Sequence, residues 1–321
     1  CEYCMNKYNE TERCYTQGYY CNGLPKKCST FGNSTIDSEA PNLTINSPVQ
    51  DRIYNSRSIL VDFSLDEEAD VSYLDIINSR GRWARICQDC YEHSRKRSFD
   101  EGWNNLTFKA VDGIENEAFV NVSFFIDSKK PQIHRTEPRS DYASGTFDIQ
   151  YSEDNLESIE IIYGNNETGF RNKTITDCFS GKKQWCSIDV DLYDYNGERI
   201  KYYFIARDIA GNEKQSQIRQ NLIVDTIAPV LNNPPIFWSY TLRDRYVYFK
   251  LNVTEDNLDK IEYRDNSASR PIWKTLCSRL KNGICEAKKA FGRGYHDIDV
   301  QIIDKAGHEI GYSTGEFKVE Y

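Results

Sequence analysis

Hydrophobic and polar residues alternate along most of the chain. The runs Ile200–Asp208 and His296–Asp304 place an apolar side chain at nearly every second position. Such runs are rich in β-branched and aromatic residues, and turn-forming residues separate them roughly every 8 to 12 positions. A period of two buries one face of a strand, and helical periodicity is essentially absent. The pattern therefore predicts an all-β chain made of β-sandwiches.

The order of these strand-like runs repeats three times. Each repeat starts near a D-x-x-x-P motif, found at Asp37–Pro41, Asp127–Pro131 and Asp225–Pro229. An apolar stretch, an acidic turn, a second alternating stretch, a cysteine pair and two long strands joined by a turn then follow in the same order. The predicted acidic turns are Leu65–Asp70, Ser152–Glu157 and Thr254–Asp259.

The repeat length indicates the type of sandwich. Units of about 90 to 98 residues with some seven short strands match an immunoglobulin-like domain. We therefore predict three tandem immunoglobulin-like β-sandwiches, at residues 39–127, 128–225 and 226–321, behind a small cysteine-rich module at residues 1–38.

Three motifs resemble a known group of proteins. The D-x-x-x-P linker, the E-D-N turn at Glu153–Asn155 and Glu255–Asn257, and the A-x-D-x-A-G-N hairpin at Ala206–Asn212 resemble the tandem immunoglobulin-like repeats of prokaryotic, particularly archaeal, cell-surface proteins. The second repeat carries this resemblance best. The first has D-G-I-E-N in place of the hairpin motif, and the third has His308 where asparagine is expected.

The N-terminal segment has five cysteines and little apolar sequence. Such a segment buries too little surface to fold unaided and needs disulfide bonds. Five cysteines cannot all pair with one another, so one has no disulfide partner within the segment. Cys1 is the natural candidate, either bonded to a partner outside the segment or present as an acylated first residue. The predicted disulfide residues of this module are Cys4, Cys14, Cys21 and Cys28, in a connectivity that spacing does not determine.

The other six cysteines fall in pairs at corresponding places in the repeats. We predict local disulfides Cys87–Cys90, Cys178–Cys186 and Cys277–Cys285. Zinc is an alternative for the C-x2-C spacing of the first pair, but a tetrahedral site needs a second pair of ligands.

Composition adds an extracellular location to this picture. Eleven cysteines are many for a reduced cytosolic protein. A net charge of −9 argues against nucleic acid as a partner, and no apolar run is long enough to span a membrane. The chain has more N-x-S/T sequons than its composition predicts by chance, so N-linked glycans are expected on them. The sequons begin at Asn9, Asn33, Asn42, Asn105, Asn121, Asn166, Asn172 and Asn252.

No pattern indicates catalysis. The chain has no nucleophile-elbow, phosphate-binding or zinc-protease motif, and its four histidines, His93, His134, His296 and His308, share no spacing. Asp208 resembles an active-site carboxylate, but related aspartates occupy the same place in each repeat, so we interpret it as part of a hairpin scaffold.

One constellation suggests a ligand. In an immunoglobulin-like sandwich the first strand's start, the loop after the second strand and the last hairpin lie at the same end. Carboxylates gathered there suit Ca²⁺, and the alternative is that the E-D-N turn caps its own loop and faces water. The candidate calcium ligands at the domain junctions are Asp127, Glu153, Asp154 and Asp208, and likewise Asp225, Glu255, Asp256 and Asp304.

The resemblance implies an extracellular structural or adhesive protein, such as a surface-layer, appendage or adhesin component built as a rod. Its partners would be other copies of itself or another surface protein. Two alternatives remain: a spacer or binding portion of a larger secreted enzyme, and a receptor or fusion ectodomain with the cysteine-rich module as its binding end.

Overall fold

A computed structural model describes residues 38–78, 81–139, 141–241 and 244–321, together with the backbone of two short strands near the N terminus. Those strands, β1 (Tyr19–Cys21) and β2 (Cys28–Thr30), form an antiparallel hairpin in which Cys21 lies opposite Cys28. Several predicted positions lie outside the described residues: Cys1, Cys4, Cys14, Asn9 and Asn33.

The alternating pattern forms strands with one buried face. The strand Arg199–Asp208 shows this most clearly, because every second side chain is buried from Ile200 to Asp208. Its buried face carries Tyr202 and Phe204, both fully enclosed. The sequence period of two is therefore the period of burial.

Repeat 1 forms one six-stranded sheet in the order β3, β5, β7, β8, β4, with β6 paired to β5. Its strands are β3 (Leu43–Ser47), β4 (Ile53–Tyr54), β5 (Ser58–Asp75), β6 (Ala84–Ser98), β7 (Gly102–Asp112) and β8 (Glu117–Ile126). The 18-residue β5 pairs with β3 over its first half, with β7 over its second half, and with β6 along both.

One predicted turn of repeat 1 is absent. Leu65–Asp70 lies within β5, so the prediction of an acidic turn there is wrong. The segment continues the inward and outward alternation and buries Ala69. It also lacks the asparagine that closes the corresponding turns of the other two repeats, so no side chain of this kind stabilises a turn there.

Repeat 2 has two sheets where repeat 1 has one. The first sheet is ordered β14-β11-β9, and the second is ordered β10-β17-β15-β12-β13 with β16 paired to β15. A short 3₁₀ helix spans Tyr193–Tyr195. The strands are β9 (Gln132–Glu137), β10 (Tyr142–Ala143), β11 (Thr146–Glu153), β12 (Leu156–Asn165), β13 (Gly169–Ile175), β14 (Gly181–Asp189), β15 (Arg199–Asp208), β16 (Glu213–Gln215) and β17 (Arg219–Val224).

Repeat 3 also has two sheets. One is ordered β18-β20-β19 with β23 paired to β20, and the other β22-β21-β24-β25. The strands are β18 (Val230–Leu231), β19 (Trp238–Tyr240), β20 (Tyr246–Thr254), β21 (Leu258–Asp265), β22 (Lys274–Cys277), β23 (Ile284–Ala290), β24 (Gly294–Asp304) and β25 (Glu309–Val319).

Each repeat encloses its own hydrophobic core, formed by residues within 43–126, 143–224 and 231–319. The predicted all-β class of tandem immunoglobulin-like sandwiches is confirmed. The chain divides into two compact units, 1–126 and 127–321, and the second unit contains two of the cores. The boundaries predicted at 38/39, 127/128 and 225/226 stay predictions.

Candidate functional site

The hairpin between β15 and β16 is held by one buried carboxylate. Asp208 is fully buried, and its Oδ1 accepts hydrogen bonds from the backbone N–H groups of Ala210 (2.9 Å) and Asn212 (2.8 Å). Gly211 takes the positive φ that the turn requires, at +78°. This arrangement supports the scaffold interpretation of Asp208.

The asparagine that closes the hairpin also reaches the start of the repeat. The Asn212 amide donates to Asp208 Oδ2 and to the backbone carbonyl of Asp127, each at 2.8 Å. In repeat 1 the Asn116 amide does the same, donating to Asp112 Oδ2 at 2.8 Å and to the carbonyl of Glu39 at 3.0 Å. We call this pair of contacts the entry clasp. Of the two turn residues Gly211 and Asn212, only Gly211 has a positive φ.

Three carboxylates meet beside the clasp of repeat 2. Oxygen atoms of Asp127, Glu153 and Asp208 lie within 4.8 Å of one another, and the three residues are 5%, 8% and 0% exposed. Asn155 orders two of them, since its backbone N–H donates to Glu153 Oε1 (2.9 Å) and its amide donates to Asp127 Oδ2 (2.9 Å). The neighbouring Asp154 is exposed and lies outside the cluster.

The cluster is electrostatically crowded. Burial, followed by the negative charges of Asp127 and Asp208, raises the pKa of the Glu153 carboxyl above its ordinary range, while the backbone N–H of Asn155 opposes the shift. A carboxyl in this position gains stability from a proton or from a cation. The oxygen-rich set of ligands is of the kind that Ca²⁺ prefers.

Repeat 3 has a related cluster of different composition. Asp225, Asp304 and His308 offer ligand atoms within 4.8 Å of one another. His308 replaces the clasp asparagine, because its backbone N–H donates to Asp304 Oδ1 and its ring Nδ1 lies 2.8 Å from Asp304 Oδ2. Asn257 bonds Glu255 through its backbone N–H and contacts Asp225 Oδ2 at 3.3 Å through its amide.

Glu255 lies close to these carboxylates. Burial and then the charges of Asp225, Asp304 and Asp256 raise the pKa of its carboxyl. Asp256 itself is exposed. The structure thus brings the buried members of each predicted calcium set together and leaves the exposed aspartate of each E-D-N turn at the surface.

Residues of repeat 2 touch this second cluster. The Tyr142 hydroxyl donates to Asn257 Oδ1 at 2.6 Å, and the Lys305 ammonium lies 5.9 Å from the centre of the Tyr142 ring. The cluster therefore sits where the end of one repeat meets the next.

The amide-bearing residues and His308 were not among the predicted members of these sites. The signal was available, because Asn155 and Asn257 are the third residues of the two E-D-N turns, and Asn116, Asn212 and His308 all lie four residues after a buried aspartate.

The structure joins the three cysteine pairs predicted for the repeats: Cys87–Cys90, Cys178–Cys186 and Cys277–Cys285. Cys285 is fully buried in the core of repeat 3. Because Cys87 and Cys90 are joined in a disulfide, they offer no thiolate to a zinc ion.

Most described sequon asparagines face water. Asn42, Asn121, Asn166, Asn172 and Asn252 are exposed, whereas Asn105 is half-buried on β7. Glycosylation of these residues stays a prediction, and their exposure leaves room for a glycan.

The four histidines occupy separate settings. His93 stacks on Phe63, His134 contacts the Ser152 hydroxyl, His296 contacts Asp265, and His308 belongs to the second cluster. Of the residues that the structure describes, none forms a helix long and apolar enough to cross a membrane.

Comparison with known proteins gives a likeness of fold. No protein-family profile and no curated protein sequence matches the chain. In structure it is similar to the chicken CNTN1 FN1-FN3 domains, with a TM-score of 0.41 at 11% identity over 88% of this chain and 99% of that one.

Two other similar structures are also tandem-domain proteins. One is a tetra-tandem repeat in the extending region of a large adhesion protein, with a TM-score of 0.31 at 12% identity over 87% of this chain and 74% of that one. The other is a variant of titin domains I67-I69, with a TM-score of 0.37 at 11% identity over 88% and 99%.

Proposed function

We propose that this chain is an extracellular structural or adhesive protein of a cell surface, such as a surface-layer, appendage or adhesin component built as a rod of immunoglobulin-like domains. The disulfide in each of the three repeats carries the proposal, because such bonds persist outside the reducing cytosol. Five exposed sequon asparagines support the same location. The role is structural rather than catalytic.

Labelling of intact cells of the native source tests the location. A membrane-impermeant biotin reagent is expected to label the protein before lysis, and non-reducing peptide mapping is expected to recover the three cysteine pairs. Label that appears only after lysis, together with free thiols in the native protein, would overturn the proposal.

Within this role, the first cluster, Asp127–Glu153–Asp208, and the second cluster, Asp225–Asp304–His308 with Glu255 beside it, bind Ca²⁺ at the starts of repeats 2 and 3. The support is their geometry: buried oxygen ligands within 4.8 Å in the first cluster, and a glutamate in each whose pKa is raised mainly by burial and also by neighbouring aspartates. Exposed carboxylate turns would show neither feature.

Isothermal titration of chelator-treated protein with Ca²⁺, and with Mg²⁺ for comparison, tests this site. Binding of Ca²⁺ with a rise in melting temperature is expected, and it should weaken in Asp127→Asn but not in Asp154→Asn, which changes an exposed neighbour. A melting temperature indifferent to Ca²⁺ would remove calcium from the proposal and leave the clusters as hydrogen-bonded turns.

A further inference from the structure

Aromatic residues precede the sequons of this chain more often than composition predicts. They make up 13% of the sequence, so about one of the eight sequon asparagines should have an aromatic residue two positions before it. Four asparagines have one, and the pairs are Phe31 and Asn33, Trp103 and Asn105, Phe119 and Asn121, and Phe170 and Asn172. The first pair lies outside the described residues, and the other three lie on strands β7, β8 and β13.

A separation of two residues along a strand places both side chains on the same face of the sheet. On β8, Phe119 is 54% exposed and Asn121 is exposed as well. On β13, Phe170 is 44% exposed beside the exposed Asn172. At both places an aromatic ring and a sequon amide therefore face solvent together, with their Cα atoms about 7 Å apart.

The hydrogen bonds of the two asparagines are compatible with an attached sugar, which is joined through Nδ2. Asn121 accepts at Oδ1 from the hydroxyl of Thr107, at 2.8 Å. Asn172 donates from Nδ2 to Glu160 Oε1 at 2.5 Å, and a glycosylated amide keeps one N–H for that bond. Both amides can thus keep their present directions when they carry a glycan.

The two phenyl rings have protein neighbours on part of their surface. The Lys109 ammonium lies 5.9 Å from the centre of the Phe119 ring, and the Trp83 ring lies 6.5 Å from it. The Lys201 ammonium lies 4.9 Å from the centre of the Phe170 ring. Even with these neighbours, roughly half of each phenylalanine stays in contact with solvent.

We propose that the first sugar of an N-linked glycan on Asn121 packs against the Phe119 ring, and that the glycan of Asn172 packs in the same way against Phe170. A pyranose ring presents an apolar face of C–H groups, and contact with a phenyl ring removes apolar surface of both from water. Because the sugar is attached to the same strand, it meets the ring at a high effective concentration.

The third strand pair differs from these two. Trp103 is 52% exposed, but Asn105 is half-buried. Asn105 lies opposite Ser123 of the Asn121 sequon, so the two asparagines are diagonal neighbours about 7–8 Å apart. A glycan on Asn121 therefore occupies space that a glycan on Asn105 would need, and Trp103 provides a comparison for Phe119 on the same face.

The inference rests on the proposed extracellular role, because N-linked glycans belong to secreted chains. It is tested on protein secreted by a eukaryotic host and trimmed enzymatically to the innermost N-acetylglucosamine. Asn121→Gln removes that sugar and should lower the melting temperature of repeat 1 by roughly 2–5 °C. In a Phe119→Thr background, which keeps a β-favouring residue without the ring, the same change should cost less than about 1 °C.

Asn172→Gln in the parent and in a Phe170→Thr background forms the same cycle for repeat 2. Trp103→Thr is the matched control for Phe119→Thr, and in that background Asn121→Gln should keep its full effect. Asn166→Gln removes the sugar of an exposed sequon that has Gly164 two positions before it. It should change the melting temperature by less than about 1 °C.

A spectroscopic measurement reports the contact directly. In protein that retains only the Asn121 sequon and carries ¹³C-labelled N-acetylglucosamine, the sugar C–H signals should be shifted upfield by the phenyl ring current, and Phe119→Thr should abolish the shift. Equal sugar signals in both proteins would overturn the proposal for Asn121. So would an Asn121→Gln effect of the same size with and without Phe119, or an Asn121 that the host leaves bare. Since the host supplies the glycan, these results are independent of the surface labelling that tests the location.

Discussion

The side-chain amide of Asn212 donates a hydrogen bond to the backbone carbonyl of Asp127, 2.8 Å away and 85 residues earlier in the chain. The same amide bonds Asp208 Oδ2, so one buried side chain joins the last hairpin of repeat 2 to its entry segment. The corresponding contacts of Asn116 join the last hairpin of repeat 1 to Glu39.

Removal of this amide should destabilise repeat 2. Asn212→Ala leaves a buried carbonyl and a buried carboxylate oxygen without these donors, which should cost about 1–3 kcal/mol. Urea unfolding of the parent and the variant measures the difference. Asn166→Ala, which alters an exposed asparagine of the same repeat, should stay within about 0.5 kcal/mol of the parent. Equal losses in the two variants would contradict a structural role for the clasp.

The raised pKa of Glu153 predicts a pH dependence in the presence of chelator. Because the folded protein holds this proton more tightly than the unfolded chain, the stability contribution is fully present below the ordinary pKa of 4.5 and is lost as pH rises through the higher folded value. Glu153→Gln should therefore stabilise the protein at pH 7, because the neutral amide removes a charge that is buried beside Asp127 and Asp208.

Urea unfolding between pH 4 and pH 8 measures this effect. Asp154→Asn, which neutralises the exposed neighbour, is the control and should leave the pH profile of the parent unchanged. If Glu153→Gln lowers stability at pH 7 in chelator, the carboxylate is not under electrostatic stress and the prediction is wrong. Added Ca²⁺ should reverse the order, stabilising the parent more than the Gln variant.

The disulfides of repeats 1 and 2 should contribute different amounts to the free energy of unfolding. The loop closed by Cys178 and Cys186 is longer than that closed by Cys87 and Cys90, with sequence separations of 8 and 3. On the chain-entropy estimate, replacing the longer pair by alanine costs roughly 2–3 kcal/mol and replacing the shorter pair costs about 2 kcal/mol. Denaturant unfolding of the two double variants tests the order, and a larger loss from the shorter pair would refute it.

Glycan occupancy should follow exposure. Asn121, Asn166, Asn172 and Asn252 are exposed, whereas Asn105 is half-buried within β7. Glycopeptide mass spectrometry of protein from its native source is expected to find the exposed sites occupied more fully than Asn105. Bare asparagines at every site would contradict the glycosylated-surface proposal, and protein from a bacterial host provides the unmodified reference masses.

The fold could be predicted from sequence because burial in a sheet repeats every second residue, and the strand Arg199–Asp208 shows that pattern directly. The gathering of Asp127, Glu153 and Asp208 also followed from the order of strands in a sandwich. The continuous strand through Leu65–Asp70 did not, because acidic residues favour turns on average, and only the absent asparagine distinguishes this segment. The role of His308 was not predicted, although Asp304 lies only four residues before it, because asparagine is the expected residue at this position and Asp225 is distant in the sequence.

The unbroken strand β5 determines how repeat 1 can open. The first half of β5 pairs with β3 and the second half pairs with β7, whereas repeat 2 places the corresponding pairings in two separate sheets. Because both halves of β5 belong to one strand, its hydrogen bonds to β3 cannot open without disturbing the backbone that also pairs with β7. Amide hydrogens on both halves should exchange with solvent through one common opening of the domain. In repeat 2, where a turn separates β11 from β12, each sheet has its own boundary at which local opening can stop.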